Sequence, residues 1–372
     1  MKFDTLIIGG GLSGLVCGIS LQEAGQQTCI VSTGQNALHF FSGSFESLQE
    51  PSPRLTALFE AAGIRLHYRE GVRLMPMGRF AQAALSLEDC SLFADPHFAR
   101  KALILSIPGY HDFFPAFLSD GLVQQGIACQ VRELVLPELQ QLGRSPSEMR
   151  SVQIARILDR DWQKVVEQVR LLLRDEDAVI LPQVFGLDDP AVPGRIREAL
   201  PAQVVFVGTL PPSVPGMRTQ LLLKKRYQLL GGTYLSGDTA LRSHVHDGVV
   251  HSIATQHLDN HYLAAGHFIL ASGHFFSKGL CSNPFRIWEP VFGLDVDAPE
   301  DRNRWYDPAF AADQPYLGYG VRTDEALHPS IEGVTVRNLY AVGSVLGATR
   351  PEFGTAAGQA IRSAFAAVDH IL

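Results

Sequence analysis

The chain has 372 residues, 46% hydrophobic and 19% charged, with 31 Lys and Arg against 38 Asp and Glu, a formal charge of −7. That length buries one large core or two interleaved domains, and an acidic balance without a basic stripe argues against nucleic acid as a partner. The sequence opens Met-Lys and passes straight into an apolar strand, so no secretion leader is expected, and no apolar run reaches the roughly 20 residues of a membrane span.

Residues 3–8 read as a short apolar strand that runs into Gly9-x-Gly11-x-x-Gly14 and then into a helical pattern. Strand, glycine turn and helix in that order are the context a dinucleotide fingerprint requires. Gly9 permits the tight turn, Gly11 lets backbone approach a phosphate, and Gly14 lets helix and strand pack closely. The helix then aims its N-terminal amides at the phosphate. The second strand, 28–31, ends in Ser32-Thr33-Gly34. Dinucleotide sites commonly place Asp or Glu there to hold the adenosine ribose, and no carboxylate stands at this point. The turn suits a phosphate, while the missing carboxylate points to a mononucleotide or to a dinucleotide held in an atypical way.

The stretch 38–44 is turn-prone, and 51–100 reads as polar helices and loops. Residues 102–107 form a strand of continuous apolar character, as expected when both faces are buried. Helical spacing covers 112–126 and 146–175, and 178–181 and 204–207 again read as buried strands. A proline-rich connection, 209–218, leads to a helix over 219–232 with a glycine stop. Its basic residues are confined to Lys224, Lys225 and Arg226, which favours packing over membrane binding. Strands follow at 233–235, 241–246 and 249–255, the last two joined by an Asp247-Gly248 hairpin turn. Strand 266–270 runs into Ala271-Ser272-Gly273-His274. Near the end, Asn338-Leu-Tyr-Ala-Val-Gly343-Ser344 is an apolar strand entering a glycine turn, followed by Gly347, Gly354 and Gly358 and a helix over 356–372.

Both ends of the chain thus read as cofactor-cradling elements. The expected fold class is α/β: a Rossmann-like nucleotide-binding fold with an inserted α+β second domain. The expected bounds are 1–100 and 219–372 for the binding domain and 101–218 for an inserted middle segment, a substrate or cap domain. The five cysteines, Cys17, Cys29, Cys90, Cys129 and Cys281, form no CxxC or cluster-ligand spacing. A reducing cytoplasm with buried thiols is expected, and electrons handled by this chain must leave through another protein or a diffusing acceptor.

The N-terminal GxGxxG, the late LASGHFF segment and NLYAVGSVLG before a glycine-rich final helix together resemble the fumarate-reductase/succinate-dehydrogenase-like flavoproteins. More narrowly, FDTLIIGGGLSGLVCGISL, QNALHFFSGS at 35–44, TLPPSVPGMR at 209–218, FGLD at 292–295 and YAVGSVLG at 340–347 resemble the B-subunit family of bacterial anaerobic glycerol-3-phosphate dehydrogenase. The resemblance spans essentially the whole chain, with 46–100 shorter than the family leads one to expect. It implies a cytoplasmic flavoprotein with FMN, FAD being the alternative. It implies a membrane-associated complex with a FAD-bearing A subunit and an iron–sulfur C subunit. It implies oxidation of sn-glycerol 3-phosphate to dihydroxyacetone phosphate, with electrons passing to the quinone pool. Two other readings stay open: a free-standing fumarate-reductase-like FAD or FMN oxidoreductase, and a non-catalytic electron-relay or docking subunit.

A flavin needs a phosphate cradle, charge near its N1/O2 edge and contacts at its N5 face. Gly9, Gly10, Gly11, Ser13 and Gly14 would supply the cradle, with Ser32 at the end of the second strand. Ser42, Gly43 and Ser44 resemble the segment that lines the ring in this group. Gly273, Gly343 and Ser344 belong to the later turns, and the final helix, starting near Gly354 and Thr355, would aim its positive end at N1/O2. Ser32 and Ser344 stand where FAD-binding relatives often carry carboxylates, and a hydroxyl donates to phosphate oxygen without like-charge repulsion. Oxidising a secondary alcohol needs a base and, for this substrate, cations for the phosphate. Arg350, His274 and Arg218 are the candidates, with His39 beside the ring-lining segment. His244-x-His246 and His257-x3-His261 have metal-like spacing but no Cys or acidic support, and read as exposed polar positions.

Overall fold

The computed structural model describes residues 2–34, 36–45, 51–258, 261–309, 312–347 and 356–372. The chain forms two compact units. Met1–Ala37, Pro53–Gly63 and Leu222–Leu372 make the first; Leu38–Ser52 and Ile64–Leu221 make the second. The expected bounds therefore shift: residues 38–52 and 64–100, assigned from sequence to the binding domain, fold with the middle segment.

The first unit is built on a five-stranded sheet in the order Thr233–Ser236, Thr28–Ser32, Lys2–Ile8, Ala264–Leu270 and Leu339–Ala341, with every pairing parallel. Strand Lys2–Ile8 is wet at its start and buried from Thr5 onward, so its carboxyl end feeds the glycine turn from inside the core. Helix Leu12–Glu23 is apolar nearly all round and buried from Leu12 through Leu21. It packs against the final helix, Ala356–Ile371, where the Cys17 thiol meets the Ala364 carbonyl at 3.6 Å. The hairpin Ala240–His246 with Val249–Thr255 turns at Asp247 and Gly248, whose φ values of 50° and 68° are those of a type I′ turn.

The second unit has a four-stranded parallel sheet in the order Ala128–Glu133, Lys101–Ser106, Ala178–Pro182, Gln203–Val207. Ala102 through Leu105 and Ala178 through Leu181 are fully buried, which is why these runs are continuously apolar. A three-stranded antiparallel sheet, Ser44–Phe45, Phe80–Leu87 and Leu66–Leu74, stands where polar helices and loops were expected. Leu66–Leu74 reads LHYREGVRL and is buried only in its last three residues, so polarity hid the strand. This pairing also explains the domain shift, because it ties residues 44–45 to the segment after Gly63.

Two helices depart from their expected bounds. The pattern over 146–175 breaks into Ser151–Arg160 and Trp162–Leu172, with Asp161 non-helical at φ −107°, ψ 27°. The helix expected over 219–232 instead runs Val214–Leu229, starting inside the proline-rich stretch. Ser213 Oγ accepts from the Gly216 amide at 3.2 Å, and proline in a first turn leaves no helical hydrogen bond unmade.

Candidate functional site

In open parallel sheets, ligands bind beyond the carboxyl ends of the strands, where the strand order reverses. In the first unit that point is the end of Lys2–Ile8, flanked by Thr28–Ser32 on one side and Ala264–Leu270 on the other. Gly9 has φ +116°, and a β-carbon there would collide with the Ala271 carbonyl. A β-carbon on Gly14 would collide with the Gly9 carbonyl, so helix and turn are in direct backbone contact. Gly11 differs. It is the N-cap of helix Leu12–Glu23, and the nearest atom of the described residues to its β-carbon position is Asn36 Cβ at 4.0 Å. No acidic side chain lies in that helix's first turn. Closed at Gly9 and Gly14 and open at Gly11, the cradle fits a phosphate presented to helix-terminal amides.

Gly10 backs onto the Ser32 side chain and the Tyr234 hydroxyl, and its carbonyl accepts from Asn36 Nδ2 at 3.0 Å. Ser32 is buried, and its Oγ accepts from the Gly34 amide at 3.2 Å. Ser13 is buried with its hydroxyl against Gly343, so the first and last glycine turns adjoin. Gly343, at φ +79°, donates its amide to Ser363 Oγ at 2.9 Å. Gly273, at φ +81°, has Ser344 Oγ 3.7 Å from its β-carbon position. The first unit therefore brings Gly9, Gly10, Gly11, Ser13, Gly14, Ser32, Gly273, Gly343 and Ser344 to one end of one sheet. Arg350, Gly354 and Thr355 lie outside the described residues.

His274 follows the Gly273 turn. Its Nε2 is 2.9 Å from the Tyr319 carbonyl, which can only accept, so Nε2 carries the proton and Nδ1 holds the lone pair. Burial pushes its pKa below the usual imidazole value, and the hydrogen bond to Tyr319 offsets part of that. The ring is thus neutral near pH 7 with an acceptor nitrogen available.

The second unit holds Ser42, Gly43, Ser44, His39 and Arg218. Arg73, buried on the strand Leu66–Leu74, donates from Nη2 to Ser42 Oγ at 2.6 Å and from Nη1 to the Ser42 carbonyl at 3.3 Å. Gly43 takes φ +95°, its carbonyl accepts from the Leu87 amide at 2.7 Å, and Ser44 pairs with Ser86 in the antiparallel sheet. His39 Nε2 lies 3.2 Å from Gln220 Oε1, and burial lowers its pKa.

Arg218 is a correction. It was expected to close a loop and bind phosphate, but it lies within the helix Val214–Leu229 and is buried. Its guanidinium donates to Asp89 Oδ2 at 2.7 Å and to the Phe185 and Gly186 carbonyls at 3.4 and 3.0 Å. Those donors hold the interior of the second unit together. Sequence reasoning also missed Arg73, Tyr234 and Tyr319, since nothing marks an Arg in a hairpin or a Tyr in a strand before the partner is known.

Comparison with known proteins places these observations. A family model described as FAD binding domain matches residues 4–53 and 45–352. A protein named as the B subunit of anaerobic glycerol-3-phosphate dehydrogenase from Pectobacterium atrosepticum is 39% identical over 416 aligned positions, covering 100% of this chain and 99% of its own. One of the same name from Glaesserella parasuis is 33% identical, with both chains covered in full. The alignments are longer than this chain, so these relatives carry segments that it lacks. Among solved structures, the 3-ketosteroid Δ1-dehydrogenase of Sterolibacterium denitrificans matches with a TM-score of 0.45 and 11% identity, over 100% of this chain and 99% of that one. The chain therefore belongs to the FAD-binding-domain flavoproteins and, within them, to the B-subunit family of anaerobic glycerol-3-phosphate dehydrogenase.

Proposed function

We propose that the chain is the B subunit of a flavin-dependent, quinone-linked dehydrogenase that oxidises sn-glycerol 3-phosphate to dihydroxyacetone phosphate. The reading is carried by the phosphate cradle at Gly9, Gly11 and Gly14, which among the described residues is open at Gly11, in a chain whose full length aligns with proteins of that name. The complex would contain a FAD-bearing A subunit and an iron–sulfur C subunit, and this chain would sit at the cytoplasmic side of the inner membrane through them. In support, no helix among the described residues is long and apolar enough to cross a membrane.

A bound flavin would supply the two-electron acceptor for the alcohol carbon. This chain's residues would do the rest. The Gly11 amide and the start of helix Leu12–Glu23 would hold the cofactor phosphate. His274 would accept the hydroxyl proton at Nδ1, the nitrogen left free by the bond to Tyr319. Arg350 would bind the substrate phosphate. The nucleotide form has one observation on each side: the family match favours FAD over FMN, while Ser32 in place of a ribose carboxylate favours FMN.

The test is to denature the purified chain and chromatograph the released chromophore against both standards, then assay glycerol-3-phosphate-driven quinone reduction with and without this chain. A stoichiometric flavin and an assay that requires the chain support the reading. No flavin, even after soaking with each form, would favour a docking role, and activity without partners would favour a free-standing oxidoreductase.

A further inference from the structure

We infer that Phe276, Tyr306 and Tyr316 form the docking surface for the electron-accepting protein of the complex, with Lys278, Arg302 and Arg304 pairing with carboxylates on that protein. The inference rests on the functional reading above and adds to it the place where the partner binds.

Three observations within the first unit carry it. The first is that the aromatic side chains share one surface. The Tyr319 carbonyl accepts from His274 at 2.9 Å, and the Tyr319 hydroxyl donates to the Arg304 carbonyl at 2.7 Å. The Tyr316 amide donates to the Trp305 carbonyl at 3.1 Å, and the Phe275 and Tyr316 rings meet edge to face with centroids 6.2 Å apart. Residues 274–278, 302–306 and 315–319 are thus tied to one another. On them Phe276, Tyr306 and Tyr316 are 62%, 56% and 38% exposed. A lone exposed aromatic needs no explanation, whereas several on adjoining segments mark an interaction surface.

The second is charge. The same three segments carry Lys278, Arg302 and Arg304 and no acid, in a chain whose formal charge is −7. All three cations are exposed, and among the described residues none of them is in an ion pair. The flanking acids are engaged locally: Asp301 Oδ1 accepts from the Asn303 amide at 2.9 Å and Asp307 Oδ1 from the Ala309 amide at 2.8 Å. Aromatic anchors with Arg at their edge are the composition of protein interfaces, and the complement is an apolar face set with carboxylates.

The third is place. His274 follows the carboxyl end of strand Ala264–Leu270, the end of the sheet at which the phosphate cradle stands. The aromatic surface is therefore continuous with the candidate base. The five cysteines have no cluster-ligand spacing, so electrons taken from the alcohol leave for an acceptor outside this chain. The functional reading supplies that acceptor as a protein of the same complex, and it must approach the end of the sheet where the surface lies.

The experiment measures the affinity of the full chain for the remaining subunits of the complex, immobilised on a sensor surface. Wild type is compared with Phe276→Ser/Tyr306→Ser and with Arg302→Glu/Arg304→Glu. The aromatic variant should bind at least about thirtyfold more weakly, the loss of one hot spot. Charge reversal should also weaken binding and flatten the fall in affinity as salt is raised. Flavin affinity and melting temperature of the isolated chain should stay at wild-type values in both, because the substituted side chains are exposed. If the aromatic variant does not fold, the charge-reversed chain decides alone. Wild-type affinity in both variants overturns the inference, and wild-type affinity after charge reversal alone overturns the role of the cations. Sedimentation with vesicles of anionic phospholipid, lost in the aromatic variant while partner affinity is unchanged, would make the occupant a membrane surface and overturn it too. A wild-type chain that associates with no partner protein overturns the functional reading as well.

Discussion

Arg218 Nη2 lies 2.7 Å from Asp89 Oδ2 inside the second unit, with the two side chains 8% and 10% exposed. An Arg that reads from sequence as a phosphate clamp is thus one half of a buried ion pair. Removing one partner leaves the other charged and dehydrated, whereas replacing both with apolar groups of similar volume does not. Arg218→Met should therefore destabilise the chain by about 3–5 kcal/mol. Arg218→Met with Asp89→Leu should recover most of that loss. Urea denaturation measures both. A phosphate-binding Arg218 would instead give a variant of nearly wild-type stability and a raised KM.

The glycines of the first turn separate folding from binding. Gly14→Ala drives a methyl into the Gly9 carbonyl and should cost stability outright. Among the described residues Gly11→Ala meets only Asn36 Cβ at 4.0 Å, so the fold should stand within about 0.5 kcal/mol of wild type. Its methyl would nevertheless occupy the path by which a phosphate reaches the helix amides. The expected result is a folded Gly11→Ala chain with flavin affinity down at least tenfold, seen by equilibrium dialysis. Full flavin retention would move the phosphate away from this turn.

Arg350→Ala tests whether this chain carries a substrate site of its own. A hydrogen bond to a charged group contributes about 1.5–3 kcal/mol, so glycerol phosphate affinity should fall by that amount if Arg350 holds the phosphate. Isothermal titration of the flavin-loaded complex reads it directly. Unchanged affinity would assign the substrate phosphate to a partner protein of the complex.

How far the sequence could be read depended on whether a signal was local. The strand, glycine turn and helix at 2–23 are contiguous, and their order in the chain is their order in space. The Asp247-Gly248 hairpin was legible for the same reason, since the turn's positive φ values select those residue types. The sheet containing Leu66–Leu74 was not. Its polar first half carries no alternation, and its pairing with Phe80–Leu87 is known only once the chain folds back. Arg218 misled for a related reason: Asp89 lies 129 residues away, and no spacing rule links them. The helix start at Val214 was hidden by three prolines, Pro211, Pro212 and Pro215, that read as loop, although Pro215 belongs to a first turn.

His274 supplies the pH test. Burial holds its pKa below the usual 6.5, and its Nε2 proton is committed to the Tyr319 carbonyl. A base must be unprotonated, so the acid limb of kcat/KM should lie below pH 6.5, the rate falling as pH drops through the folded-state value. Stability should move the same way. The unfolded chain takes up the proton near pH 6.5 while the folded chain resists it, so acidification below that point favours unfolding. His39 and His267, also lowered by burial, act in the same direction. His274→Gln should lower kcat by about 10²–10⁴, leave flavin affinity unchanged and abolish the acid limb. It should also reduce the loss of stability as pH falls below 6.5, because one of the three half-buried imidazoles no longer titrates. A variant that keeps its acid limb would place the base on another residue. One that keeps its limb and also binds flavin poorly would make His274 a support for the Gly273 turn, acting through its contact with Tyr319 and not on substrate.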